Sequence, residues 1–125
     1  MLGSLLQVAA GGALGAAARH LVNAGVMRAL GPGFPWATLA VNVAGSFLMG
    51  ALVVWLARRG GQHLAPFVMT GVLGGFTTFS AFSLDVATLW ERGQTAAAAA
   101  YAAGSVALSV GALFAAMWLL RGWLA

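Results

Sequence analysis

Cysteine and lysine are absent from this chain, and only two residues, Asp85 and Glu91, are acidic. Without cysteine there is neither a disulfide framework nor a thiolate metal site, and the redox compartment is left open. Charged residues make up 6% of the 125, against 62% hydrophobic. A soluble domain of this length needs more polar surface than that, so the chain belongs in a bilayer. The formal charge of +4 rests on six arginines. They stand singly or as the one pair Arg58–Arg59, not in the basic patch that a nucleic-acid surface requires, and no nucleic-acid partner is expected. The first charged side chain is Arg19. The basic segment that opens a secretory signal is therefore missing, and Met1 onward is read as mature protein. Few side chains remain for acid–base or nucleophilic chemistry, so no enzyme is expected.

Four apolar runs fill the sequence, at about 3–28, 36–58, 64–90 and 96–121. They are separated by the breakers LGPGFP at 30–35, RRGGQ at 58–62 and ERGQ at 91–94. The charge-free residues 36–57 alone cover roughly 33 Å at a rise of about 1.5 Å per residue, enough for a hydrocarbon core of about 30 Å. Residues 1–125 are read as a single all-α membrane domain with four transmembrane helices and both termini on one side. Arg58, Arg59 and Arg121 fall on one side, Arg28 and Arg92 on the other, with Arg19 inside the first span. That balance does not set an orientation by the positive-inside rule. Either the bias is simply weak, or the chain inserts both ways and pairs with an inverted copy. Gly11 and Gly15, and again Gly71 and Gly75, form GxxxG pairs that let membrane helices approach closely.

Polar residues recur at helical spacing inside these runs. Thr38, Asn42 and Ser46 share one face of the second span, and Tyr101, Ser105 and Ser109 one face of the fourth. A side-chain amide in the membrane needs partners, so Asn42 must face protein or water. Interhelical hydrogen bonding is one use for such stripes. A polar pathway is the other, and two aligned stripes favour it. Hydroxyls and an amide donate hydrogen bonds without a fixed negative charge, which suits an anion better than a cation. Arg19 either draws anions into a vestibule or anchors a helix end by snorkelling. His20 and His63 lie near predicted ends and receive no role.

The third span carries the densest anomaly, GGFTTFSAFS at 74–83. Paired glycines followed by Thr77 and Thr78 predict a helix break, whose freed carbonyls must meet protein, water or a cation. Close packing against another helix is the competing explanation for the glycines. Phe76, Phe79 and Phe82 lie three apart, and a ring edge carries the positive end of the quadrupole that can meet an anion. Asp85 continues that face toward the end of the span, where it caps the helix or lines a vestibule.

The segment GGFTTFSAFSLD resembles the third-helix signature of the CrcB/Fluc fluoride channels, close to GGxTTFSTFSxE. GGALGAAARH at 11–20 and WATLAVNVAGSFLMG at 36–50 are similar to that family's first- and second-helix motifs. The resemblance implies an antiparallel, dual-topology homodimer with two pores, passively exporting fluoride across a bacterial-type inner membrane and conferring fluoride resistance. It implies pore roles for Asn42, Phe79, Phe82 and Ser80, a polar track of Tyr101, Ser105 and Ser109, and vestibule positions for Arg19 and Asp85. The backbone carbonyls of Gly74 and Thr77 would hold a structural sodium ion shared by the two subunits, with Thr78 beside it. Ala81 stands where the pattern usually has Thr, and Asp85 where it has Glu, which puts rate or vestibule affinity in question. Two other functions compete with this one. A small proton-coupled multidrug exporter of this size depends on a glutamate in its first helix, and residues 1–18 contain none; proton-dependent drug efflux lost on mutating Asp85 would favour it. A non-transporting scaffold needs only the GxxxG packing.

Overall fold

The computed structural model describes all of Met1–Ala125, and its regular elements are all helices. Helix α1 runs Leu2–Leu30 and α2 Trp36–Arg59. Each stops at a glycine in the left-handed region, Gly31 at φ 77° and Gly60 at φ 83°, where a side chain would be strained. A short 3₁₀ turn, Gln62–Leu64, leads into a π-helix at Pro66–Leu73 and a single helical turn, α3, at Gly74–Phe76. Helix α4 then runs Phe79–Glu91 and α5 Thr95–Leu124. Four helical segments are long and apolar enough to cross a membrane, the third being Gln62–Glu91 taken across its interruption.

The interruption falls at the threonines, not at the glycines before them. Gly74 is helical, with φ −63° and ψ −37°. Thr77 (φ −90°, ψ 159°) and Thr78 (φ −153°, ψ 124°) are extended. Their hydroxyls explain the position, because they serve the two cut ends of the helix. Thr77 Oγ1 donates to the Leu73 carbonyl at 2.9 Å, and Thr78 Oγ1 accepts from the Ala81 amide at 3.1 Å, capping α4.

The glycines serve packing instead. A Cβ on Gly75 would stand 2.6 Å from the Gly12 carbonyl oxygen and 3.1 Å from the Ala16 amide. One on Gly11 would stand 2.9 Å from the Val72 amide, and one on Gly15 2.8 Å from the Phe76 amide. The two GxxxG pairs read from the sequence therefore face each other, and α1 lies backbone to backbone along the first half of the third span. Helix α2 packs on α5, where Gly50 faces the backbone of Leu113 and the Ala116 methyl.

Only 15 of the 125 residues are buried, so a single chain encloses no core of its own. Most apolar side chains face outward, as lipid or a further subunit would require. The one compact apolar cluster joins Leu89, Ala98 and Tyr101 with Phe34, Phe82 and their neighbours. Phe34 comes from the LGPGFP connection, which is more than a breaker. Its ring meets Tyr101 edge-on, 5.5 Å between centroids at 88°.

Candidate functional site

Breaking a helix in the membrane strands backbone groups, and their fate defines the centre of this molecule. In an unbroken helix the Thr78 amide would bond the Gly74 carbonyl, and the Ala81 amide the Thr77 carbonyl. Here the Thr78 amide donates to Asn42 Oδ1 at 2.8 Å, and the Ala81 amide to the Thr78 hydroxyl. Asn42 Nδ2 in turn donates to the Thr78 carbonyl at 2.9 Å. The Asn42 carboxamide thus closes a two-point clamp on both backbone groups of one residue. Gly74 and Thr77 are left with carbonyls whose ladder partners have gone elsewhere. Arg19 crosses from α1 and donates its Nε to the Gly75 carbonyl at 3.0 Å. That places a cation at the C-terminal, partly negative end of the first half-helix.

Beside the break lies an open groove of about 340 Å³ between α2, α4 and α5. Asn42 and Ser46 of α2, Thr77 and Thr78 of the break, Phe79 and Phe82 of α4, and Ser105 and Ser109 of α5 line it. The two polar stripes therefore converge on one space, although nothing in either helix alone says that they must. Phe79 and Phe82 lie 5.4 Å apart at 47°. Phe82 also packs on Tyr101 at 5.3 Å. Phe79 is 76% exposed, so this wall of the groove is open in the single chain.

Ser105 is the unusual member of this lining. Only 5% exposed, it is the one buried polar side chain, and its Oγ makes no hydrogen bond of acceptable geometry even though the Tyr101 hydroxyl is nearby. A buried hydroxyl without a partner carries a cost of about 1–3 kcal/mol, and native structures contain few.

Two predicted track residues stand apart from the groove. Tyr101, 2% exposed, is turned away and donates its hydroxyl to Asp85 Oδ2 at 2.9 Å. Ser80 is exposed at the start of α4, with its hydroxyl 3.3 Å from that of Thr78. Arg19 and Asp85 come together with His20, Asn23 and Thr38 around a separate crevice of about 210 Å³. Thr38, the first member of the second-span stripe, faces that crevice and not the groove.

Sequence reasoning overlooked the capping role of Thr78, although a threonine just before an apolar periodic run is a helix-start signal. Ser46, read as part of the second-span polar stripe but given no pore role by the resemblance, does line the groove. The clamp itself had no local signal, because Asn42 and Thr78 are 36 residues apart.

Known proteins resemble this chain along its whole length. Residues 6–117 match the family described as "CrcB-like protein, Camphor Resistance (CrcB)". A protein of Cereibacter sphaeroides named "Fluoride-specific ion channel FluC" is 64% identical over 125 residues, the full length of both chains. Proteins of the same name are 60% identical in Paracoccus denitrificans, over 95% of each chain, and 56% identical in Mesorhizobium japonicum, over 94% of this chain and 96% of that one. That name describes an ion channel and not an enzyme, as the scarcity of acid–base side chains led us to expect. Four apolar helices interrupted at one point, three motifs in order and identity along the whole length lead to one assignment: the chain belongs to the CrcB family of multi-pass membrane proteins.

Proposed function

We propose that this protein is a passive fluoride channel working as an antiparallel homodimer of two inverted copies in a bacterial-type inner membrane. The observation that carries the reading is the groove beside the break, with the unpartnered Ser105 hydroxyl buried in its wall. Ser109 and the second N–H of Asn42 offer hydrogen-bond donors, and the Ser105 hydroxyl, enclosed in the wall, would turn to offer a third. The edges of Phe79 and Phe82 offer the positive side of an aromatic quadrupole. The lining holds no ionisable side chain, so a small anion would be desolvated by neutral donors and released again without a strong trap. The open wall at Phe79 is the surface an inverted second copy would cover, and the even division of arginines is compatible with insertion both ways. Arg19 and Asp85 would line the entrance, Tyr101 holding the carboxylate of Asp85 to one side. Ser80, at the start of α4, would meet the ion before the groove proper.

A structural sodium ion fits the backbone chemistry of the break. The carbonyls of Gly74 and Thr77 have lost their ladder amides, and backbone oxygens at a broken helix suit a small hard cation. Two chains meeting at their breaks would supply four such oxygens, and the bound cation would join the subunits. Export follows from pH. Hydrogen fluoride enters as a neutral acid, dissociates in a less acidic cytoplasm, and leaves as the ion down its own gradient.

Liposomes containing the purified protein should release fluoride and not chloride. Absence of fluoride release from well-folded dimers in sodium would overturn the reading. Ser105→Ala is the sharper test. Removing a hydrogen bond to a charged partner costs about 1.5–3 kcal/mol, so flux should fall roughly ten- to hundredfold. The melting temperature should hold or rise, because a buried, unpartnered hydroxyl has been deleted. A marked loss of stability would instead assign Ser105 to packing.

A further inference from the structure

The three arginines at the end of the molecule where both chain termini lie play no part in the groove. Helix α2 finishes there with Arg58 and Arg59, and α5 with Arg121 two residues before Trp123. Trp55 of α2 and Trp123 of α5 stack across the two helices, 6.4 Å between centroids at 22°. The Arg59 guanidinium lies 5.8 Å above the Trp55 ring. Arg59 and the two indoles thus make contact around Trp55, bridging the ends of two helices. All three arginines and both tryptophans are exposed, and no ion pair engages the arginines. The only two acidic side chains are elsewhere. Asp85 bonds Tyr101, and Glu91 ends α4 at the opposite side of the bundle.

We propose that this end binds the phosphate of an anionic phospholipid headgroup, the guanidinium groups meeting the phosphate and the stacked indoles lying against the glycerol and upper acyl region. Charge complementarity favours a lipid over a protein partner, because three arginines with no acidic side chain beside them sit at the depth where tryptophan marks the membrane interface. Planar guanidinium groups also match phosphate oxygens in bidentate geometry. The other end also carries exposed tryptophans, Trp36 and Trp90. That end holds two arginines, Arg28 and Arg92, together with the acidic Glu91, against three arginines and no acidic side chain here. The proposal is independent of the ion that the groove conducts.

Native mass spectrometry of the detergent-solubilised protein, titrated with dioleoylphosphatidylglycerol or dioleoylphosphatidylcholine, tests it. Each arginine near an anionic surface contributes about fivefold in affinity. The anionic lipid should be retained more than about tenfold better, and the combined R58Q, R59Q and R121Q variant should lose that preference. R59Q alone should lose about fivefold of it, while R28Q with R92Q, at the other end, should keep it whole. Equal retention of the two lipids overturns the proposal, as does a preference that survives the triple variant. Inorganic phosphate raising thermal stability as much as phosphatidylglycerol does would assign the cluster to a soluble anion and overturn the lipid assignment.

Discussion

Asn42→Ala should both unfold the centre of the protein and abolish fluoride flux. The substitution strands the Thr78 amide and the Thr78 carbonyl together, since Asn42 is the partner of each. At about 1–3 kcal/mol per unsatisfied buried group, the loss is about 2–6 kcal/mol, carried by a segment that also lines the groove. Water has limited access at this depth to repair it. Asn42→Asp separates the two halves of the clamp. A carboxylate still accepts from the Thr78 amide, but it has no N–H for the Thr78 carbonyl. It also sets a negative charge in the path proposed for an anion. We expect Asp to be at least as destabilised as Ala, because its second carboxylate oxygen would face the Thr78 carbonyl with no proton between them and little water to screen the charge, and to conduct no better. Melting of the purified variants in detergent, alongside liposome efflux, reads the two effects separately. An Ala variant that melts like the parent would show that the clamp is dispensable, leaving Asn42 with a direct role toward the ion alone.

Gly15→Leu should be at least as damaging, although residue 15 touches neither the groove nor the break. Its Cβ would overlap the Val72 carbonyl and approach the Phe76 amide at 2.8 Å. These are backbone atoms, which cannot rotate aside as the end of a flexible side chain would. Helix α1 would have to move away from the third span, and Arg19, one turn further on, would leave the Gly75 carbonyl. Overpacking of this kind costs about 1–3 kcal/mol or more, with the loss of the Arg19 hydrogen bond added to it. Even Gly15→Ala carries the clash, because the Cβ alone makes it. Gly25→Ala on the same helix is the control, since nothing lies within 4 Å of its added methyl. It should be neutral, or stabilising by up to about 1 kcal/mol through helix propensity. Equal melting of the Gly15 and Gly25 variants would refute the close approach of α1 to the third span.

Hydropathy alone determined the four helices, because a segment in lipid must satisfy its backbone internally and needs about 20 apolar residues to cross. The interruption of the third span was equally legible, since GGFTT sets two glycines and two threonines in the middle of an apolar run. Its position was not. Both the glycines and the threonines are poor helix residues, and propensity does not rank them. Packing decided, by committing Gly71 and Gly75 to the backbone of α1 and leaving the threonine hydroxyls to cap the cut ends. The periodicity of Thr38, Asn42 and Ser46 was visible too, but the stripe divides in three dimensions. Thr38 faces the Arg19–Asp85 crevice, Ser46 the groove, and Asn42 reaches the backbone of Thr78. Spacing along one helix tells which residues share a face and not what stands opposite. Only the tertiary structure could pair Asn42 with Thr78 and Tyr101 with Asp85, because those hydrogen bonds join groups on different helices, and their partners are set by how the helices cross.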